Sequence, residues 1–159
     1  MTQKAAFNAE EWDLIADGPA IAGMITVTAE RGGTVRETIA MGKVYTEARE
    51  AHIGPELIDE LLTTNPSIQP EEFGSAEELH TRGLEKLREA IAVLEAKAEP
   101  DEVDAYRGFV LGMADRVAHR HKSGGFLGFG GHEVSDAEKA ALEEIRVTIG
   151  AHPVPDEQE

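Results

Sequence analysis

Four residue pairs constrain this chain more than any other feature: Asn8/Glu11, Thr34/Glu37, Ser75/Glu78 and Ser135/Glu138. In each, a short polar side chain stands three residues ahead of a glutamate. The first side chain accepts from the N3 amide, and the Glu reaches back to the cap residue's own N–H. Two donors orphaned at a helix start are thereby met reciprocally. Gly54-Pro55 and Pro100-Asp101 add two further starts, because Pro suits a first helical position, where a missing N–H costs nothing. Stops follow at Asp17-Gly18-Pro19, Gly32-Gly33, Gly54, Pro66, Pro100, Gly124-Gly125 and Gly150. Together these signals predict about seven helices, near 9–17, 19–31, 35–51, 55–63, 76–98, 101–121 and 136–149.

Apolar spacing agrees with the longer of these. Leu84, Leu87, Ile91 and Leu94 step by three, four and three, Tyr106, Phe109, Met113 and Val117 by three, four and four, and Leu142, Ile145 and Ile149 continue the pattern. The β-branched run Ile25-Thr26-Val27-Thr28 suits a strand as well as a helix. It has no second alternating segment to pair with, and an isolated strand leaves its ladder groups unmet. The fold class is therefore all-α. At 159 residues the chain suits one domain, with residues 1–150 forming it and 151–159 a flexible acidic tail.

Charge and composition narrow the function classes. The chain carries 31 acidic and 15 basic side chains, a formal net charge of −16. Nucleic acid and anionic membrane surfaces repel such a chain, since binding either relies on Lys and Arg neutralising phosphates. With no cysteine, thiol catalysis, thiolate metal sites and disulfides are excluded. No apolar run approaches the roughly 20 residues of a membrane span, and no basic-then-apolar signal opens the chain, so a soluble cytoplasmic protein is expected. The charge is also unevenly placed. Between Glu50 and Thr81 there are eight acidic residues and no Lys or Arg, whereas Tyr106–Lys122 carries a net +3. That polarity suits salt-sensitive association with a protein partner or a second copy.

Two stretches resemble one another. Ala22-Gly23-Met24 is followed, six residues after the Gly, by Ala29, then glycines, Val35 and Glu37. Leu111-Gly112-Met113 is followed at the same interval by Ala118, then glycines, Val134 and Glu138. Each reads as helix, Gly-rich turn and capped helix, as an internal duplication of helical hairpins produces. The segments Ala29-Glu30-Arg31-Gly32-Gly33-Thr34-Val35-Arg36-Glu37 and Val134-Ser135-Asp136-Ala137-Glu138-Lys139-Ala140-Ala141-Leu142 carry a further resemblance, to the TerB-like (tellurite-resistance protein B-like) family. Those are all-helical domains of duplicated units, whose motif is a helix ending in Ala-Asp-Gly, a short turn, an aliphatic residue and a Glu opening the next helix. Glu30 and His119 stand where the family has Asp, and an aromatic-glycine stretch extends the second turn. The resemblance implies a stress-linked or membrane-associated interaction module, with acidic turn residues binding a divalent cation. Glu30, Glu37 and Glu138 are the positions it points to, and hard cations take such oxygen ligands. Helix capping is the competing role for Glu37 and Glu138.

The segment 124–131 departs from the rest of the chain in composition, with five glycines around Phe126, Leu127 and Phe129. It lacks the Lys-Ser/Thr of a phosphate loop and no strand precedes it, so nucleotide binding is not indicated. Phe126, Leu127 and Phe129 either anchor a partner or fold back over the core. Two His-based arrangements complete the candidates. Glu77-x-x-His80 has the carboxylate–imidazole step of di-iron bundles, but no second such step exists. Asp115 and His119 share a helix face, whereas His119 and His121 point about 200° apart and cannot both ligate one ion. A small metal-binding bundle or metal-dependent enzyme built on Glu77, His80, Asp115 and His119 is the alternative function. No Gly-x-Ser-x-Gly elbow or His-Glu-x-x-His appears, so the leading expectation is a non-enzymatic interaction module whose cofactor is none or a weakly bound divalent cation.

Overall fold

In the computed structural model, residues 2–29, 46–47, 50, 55–123 and 136–151 are described. They form five α-helices and two single 3₁₀ turns, with no strand among the described residues. The helices are α1 (Ala9–Thr28), α2 (Glu56–Thr63), α3 (Ala76–Lys97), α4 (Pro100–Ser123) and α5 (Asp136–Ile149). The all-helical class thus stands, while among the described residues five helices are found against the expected count of about seven. Two expected helices are one, and the expected 35–51 helix falls almost wholly outside the described residues.

Helix α1 is the axis of the fold because it is apolar on every side. From Ile15 to Val27 every residue is buried, including Gly18, Pro19 and Gly23. A helix hydrophobic all round is covered all round. Here α3 and α4 make the most extensive contacts with it, and α2 and α5 add smaller ones. The ambiguous run 25–28 is helical. Thr26 Oγ1 donates to the Ala22 carbonyl at 2.8 Å and Thr28 Oγ1 to the Met24 carbonyl at 2.8 Å, so both hydroxyls are satisfied within the helix. Around α1, the expected stripes turn inward: Leu84, Leu87, Ile91 and Leu94 on α3, Tyr106, Met113 and Val117 on α4, and Ile145 and Ile149 on α5.

The caps explain the boundaries. Asn8 and Glu11 form a complete capping box, with Glu11 N–H to Asn8 Oδ1 at 2.8 Å and Asn8 N–H to Glu11 Oε2 at 3.0 Å. At α3 the exchange is displaced by one residue. Glu78 N–H donates to Ser75 Oγ at 3.1 Å, but the Glu78 carboxylate accepts from Gly74 N–H at 3.0 Å. Pro55 is the cap of α2 rather than its first helical residue. Pro100, by contrast, opens α4, one residue earlier than expected. The end of α5 is a Schellman turn: Ala151 N–H reaches the Arg146 carbonyl at 3.0 Å and Gly150 N–H that of Val147 at 3.3 Å. Gly150 has φ +72°, a conformation that side-chain-bearing residues seldom adopt.

The sequence expects a break at Asp17-Gly18-Pro19, yet α1 runs through it. Pro19 has no N–H, which leaves the Ile15 carbonyl without its helical donor. Tyr106 of α4 supplies the missing proton, its hydroxyl donating to Ile15 O at 2.7 Å. Gly18 makes room for that approach, since a Cβ there would lie 2.1 Å from the Tyr106 hydroxyl oxygen. Asp17 turns its carboxylate outward to the α2–α3 connection. The triplet that reads as a stop is a docking point for two other parts of the chain.

Candidate functional site

Asp17 is a carboxylate only 7% exposed on the central helix. It accepts from Ser67 N–H at 2.7 Å, from Ile68 N–H at 3.2 Å and from Ser67 Oγ at 2.9 Å. Burial pushes its pKa above the ordinary value, and nearby Asp13 adds to this. The bonds from Ser67 and Ile68 oppose the rise without cancelling it. Among the described residues every donor on the carboxylate belongs to the α2–α3 connection, so Asp17 holds residues 67–68 against α1. Nothing in the sequence marks this pairing, because the partners stand 50 residues apart.

The metal candidates are distributed as follows. Glu30 and Glu37 lie outside the described residues, as do the contact candidates Phe126, Leu127 and Phe129. Glu138 is in the first turn of α5 and fully buried. A carboxylate in a helix's first turn is favoured by the free N–H groups there. Of the alternative set, His80 Nε2 stands 2.8 Å from Glu144 Oε2, which links α3 to α5. His119 Nδ1 is 2.8 Å from the Asp115 backbone carbonyl and 3.5 Å from its carboxylate, so the two share a face as their spacing requires. Among the described residues, no three His, Asp or Glu side chains converge as a metal site.

The basic stretch of α4 is partly consumed by the fold. Arg107 Nε donates to the Ile149 carbonyl at 2.7 Å, and its terminal nitrogens hold Glu95 at 2.6 Å and Asp104 at 2.9 Å. One guanidinium therefore closes the end of α5 and ties α3 to α4, a use for which its fork of donors is suited. It is not available to a partner. Arg116 is exposed.

Arg116 also lines a surface groove among the described residues. This groove of about 240 Å³ runs along α4, lined by Ala105, Gly108, Phe109, Gly112, Met113 and Arg116, with Ile58 of α2 on its wall. Ala105, Gly108, Gly112 and Arg116 recur at three and four residues, one face of the helix. At Gly108 and Gly112, a Cβ would meet nothing within 4 Å among the described residues. Phe109, expected on the apolar stripe, is half-buried: it packs against the core and also lines this groove. The signal in the sequence was two glycines, Gly108 and Gly112, four residues apart and so on one face of a helix. No helix among the described residues is long and apolar enough to cross a membrane.

No family model matches the chain, and neither the curated proteins nor the solved structures contain a match to it.

Proposed function

We propose that this chain works as a non-enzymatic helical interaction module of the TerB-like kind, with the α4 groove and the residues that follow α4 as its contact surface. The supporting observation is the groove itself, a mostly apolar hollow lined by Gly108, Gly112, Ile58, Phe109, Met113 and the exposed Arg116. Glycines on a helix face let another backbone approach closely, and flanking apolar side chains supply contact area. The chain leads from this helix directly into Phe126, Leu127 and Phe129, which belong to the same contact surface in this reading. The packing of α1 on α4 is in keeping with a duplicated unit, since these are the leading helices of the two similar stretches. Glu30, Glu37 and Glu138 supply any weak divalent-cation binding, with stress-linked partners as the class the resemblance implies.

Site-specific photo-crosslinking in cells tests this reading. A photoreactive side chain in place of Phe109 or Phe129 is expected to capture a defined polypeptide partner or a second copy. The same group in place of Glu89, an exposed residue of α3, is expected to capture none. Equal capture from all three positions, or none from any, refutes it. For the cation, Ca²⁺ or Mg²⁺ is expected to raise the melting temperature in wild type but not in Glu37→Gln.

A further inference from the structure

Residues 2–8, ahead of α1, are fastened by a carboxylate from each of three helices. Glu102 of α4, only 5% exposed, accepts from Thr2 N–H at 2.6 Å, and the Thr2 hydroxyl donates to its other oxygen. Glu60 of α2 accepts from Lys4 N–H at 2.7 Å. Glu11 of α1 accepts from Asn8 N–H at 3.0 Å. It also holds Lys97 of α3 at 2.6 Å, and that ammonium donates to the Ala6 carbonyl at 3.2 Å. Beneath lies Trp12, the chain's single tryptophan, 3% exposed. The Phe7 ring sits 5.8 Å from the Trp12 ring, and the Lys4 ammonium lies 5.6 Å over it.

We propose that residues 2–8 are a strap that opens as a unit from the helical body when its carboxylate fasteners are protonated, uncovering Trp12. Three successive attachments of the strap end on anionic oxygens, and charge-assisted hydrogen bonds of this kind are about twice as strong as neutral ones. Protonation removes that assistance and places a proton on a group that now only accepts. The apolar packing of α1 against α3, α4 and α5 does not use these carboxylates, so the body outlasts the strap.

The direction follows from the surroundings of Glu102 and Glu11. Burial alone would raise the Glu102 carboxyl. The bonds from Thr2 and from Glu99 N–H outweigh it and hold the group below the usual carboxylate range. Glu11 is lowered by Lys97 and by Asn8 N–H. A value lower in the closed state than in the open state keeps the strap closed above the ordinary range. Closure is lost as pH falls through the lowered values. Lys97 is the cation that faces Glu11, its ammonium 2.6 Å from the carboxylate.

The test follows Trp12 emission and acrylamide quenching beside far-UV circular dichroism of the full chain, from about pH 7 downward to about pH 3. Trp12 is expected to become quenchable at a higher pH than that at which helix is lost. Glu102→Gln is expected to raise the open fraction about 10-fold and to move opening toward neutrality. Thr2→Val, which removes one donor at the strap's end, is expected to raise it about threefold with dichroism unchanged. A single coincident transition for both signals in wild type and in Thr2→Val overturns the proposal. The second variant carries the test should Glu102→Gln fail to fold.

Discussion

Replacing Tyr106 by Phe removes one oxygen from the interior, and the structure says what that oxygen is for. The Ile15 carbonyl is fully buried, and the residue four positions on is Pro19, which has no N–H to give it. The Tyr106 hydroxyl, at 2.7 Å, takes the place of that donor. Leaving a buried acceptor unmet costs about 1–3 kcal/mol. For a chain of this size each kcal/mol shifts the melting point by about 2–4 °C. Two backgrounds separate this cause from loss of bulk. In Pro19→Ala, the new amide serves the carbonyl from within the helix, and Tyr106→Phe is expected to cost only about 0.5–1 kcal/mol. Gly18→Ala places its Cβ 2.1 Å from the hydroxyl oxygen but 3.2 Å from Cζ. It is therefore expected to destabilise wild type by about 1–3 kcal/mol and to be nearly neutral in Tyr106→Phe, where an Ala-for-Gly gain of about 1 kcal/mol offsets the residual crowding. Urea unfolding followed by circular dichroism, analysed as double-mutant cycles, reads both couplings. Tyr106→Phe costs that are equal in all three backgrounds would refute the reasoning.

Asp17 gives a prediction with a defined pH sign. Its folded pKa is raised, so its contribution is fully present below the ordinary Asp value and is lost as pH rises through the raised one. Asp17→Asn keeps an acceptor for the Ser67 and Ile68 amides without a buried charge. It is expected to be more stable than Asp17→Ala by about 1–2 kcal/mol at neutral pH and to remove that pH dependence. Denaturant midpoints across the acid range check both, and an Asn variant no better than Ala would show that the amides do not need this acceptor. Two glycines make a matched pair for thermal melts. Gly83→Ala on α3 is expected to destabilise by about 1–3 kcal/mol, because its Cβ would lie 2.8 Å from Ile25 Cδ1 and 3.0 Å from Ile21 Cγ2. Gly108→Ala on α4 meets open space among the described residues, and a gain of up to about 1 kcal/mol is expected; a loss there would mean the groove is already filled.

Helix starts were legible because capping is local: Asn8 and Glu11 satisfy one another's amides within a single turn, whatever packs nearby. The inward stripes of α3 and α5 were legible for a similar reason, as spacing alone fixes which side chains share a face. The candidate site was less so. Gly108 and Gly112 share a face by their spacing, but that the face is a groove depends on Ile58, about 50 residues earlier in the chain. Arg107, part of an expected basic surface, is spent on Ile149, Glu95 and Asp104, and only the folded chain brings those acceptors together.

Helical character, the starts of most described helices and the faces that turn inward are all local properties, since they follow from hydrogen bonds and periodicities spanning a few residues. The fate of Asp17-Gly18-Pro19 was set by long-range packing. By local chemistry the triplet ends a helix; in the fold Tyr106 replaces the lost donor, Gly18 admits it, and Asp17 binds Ser67 and Ile68. A proline breaks a helix when the carbonyl it orphans has nowhere to turn, and whether a donor arrives from 91 residues away is settled by packing alone.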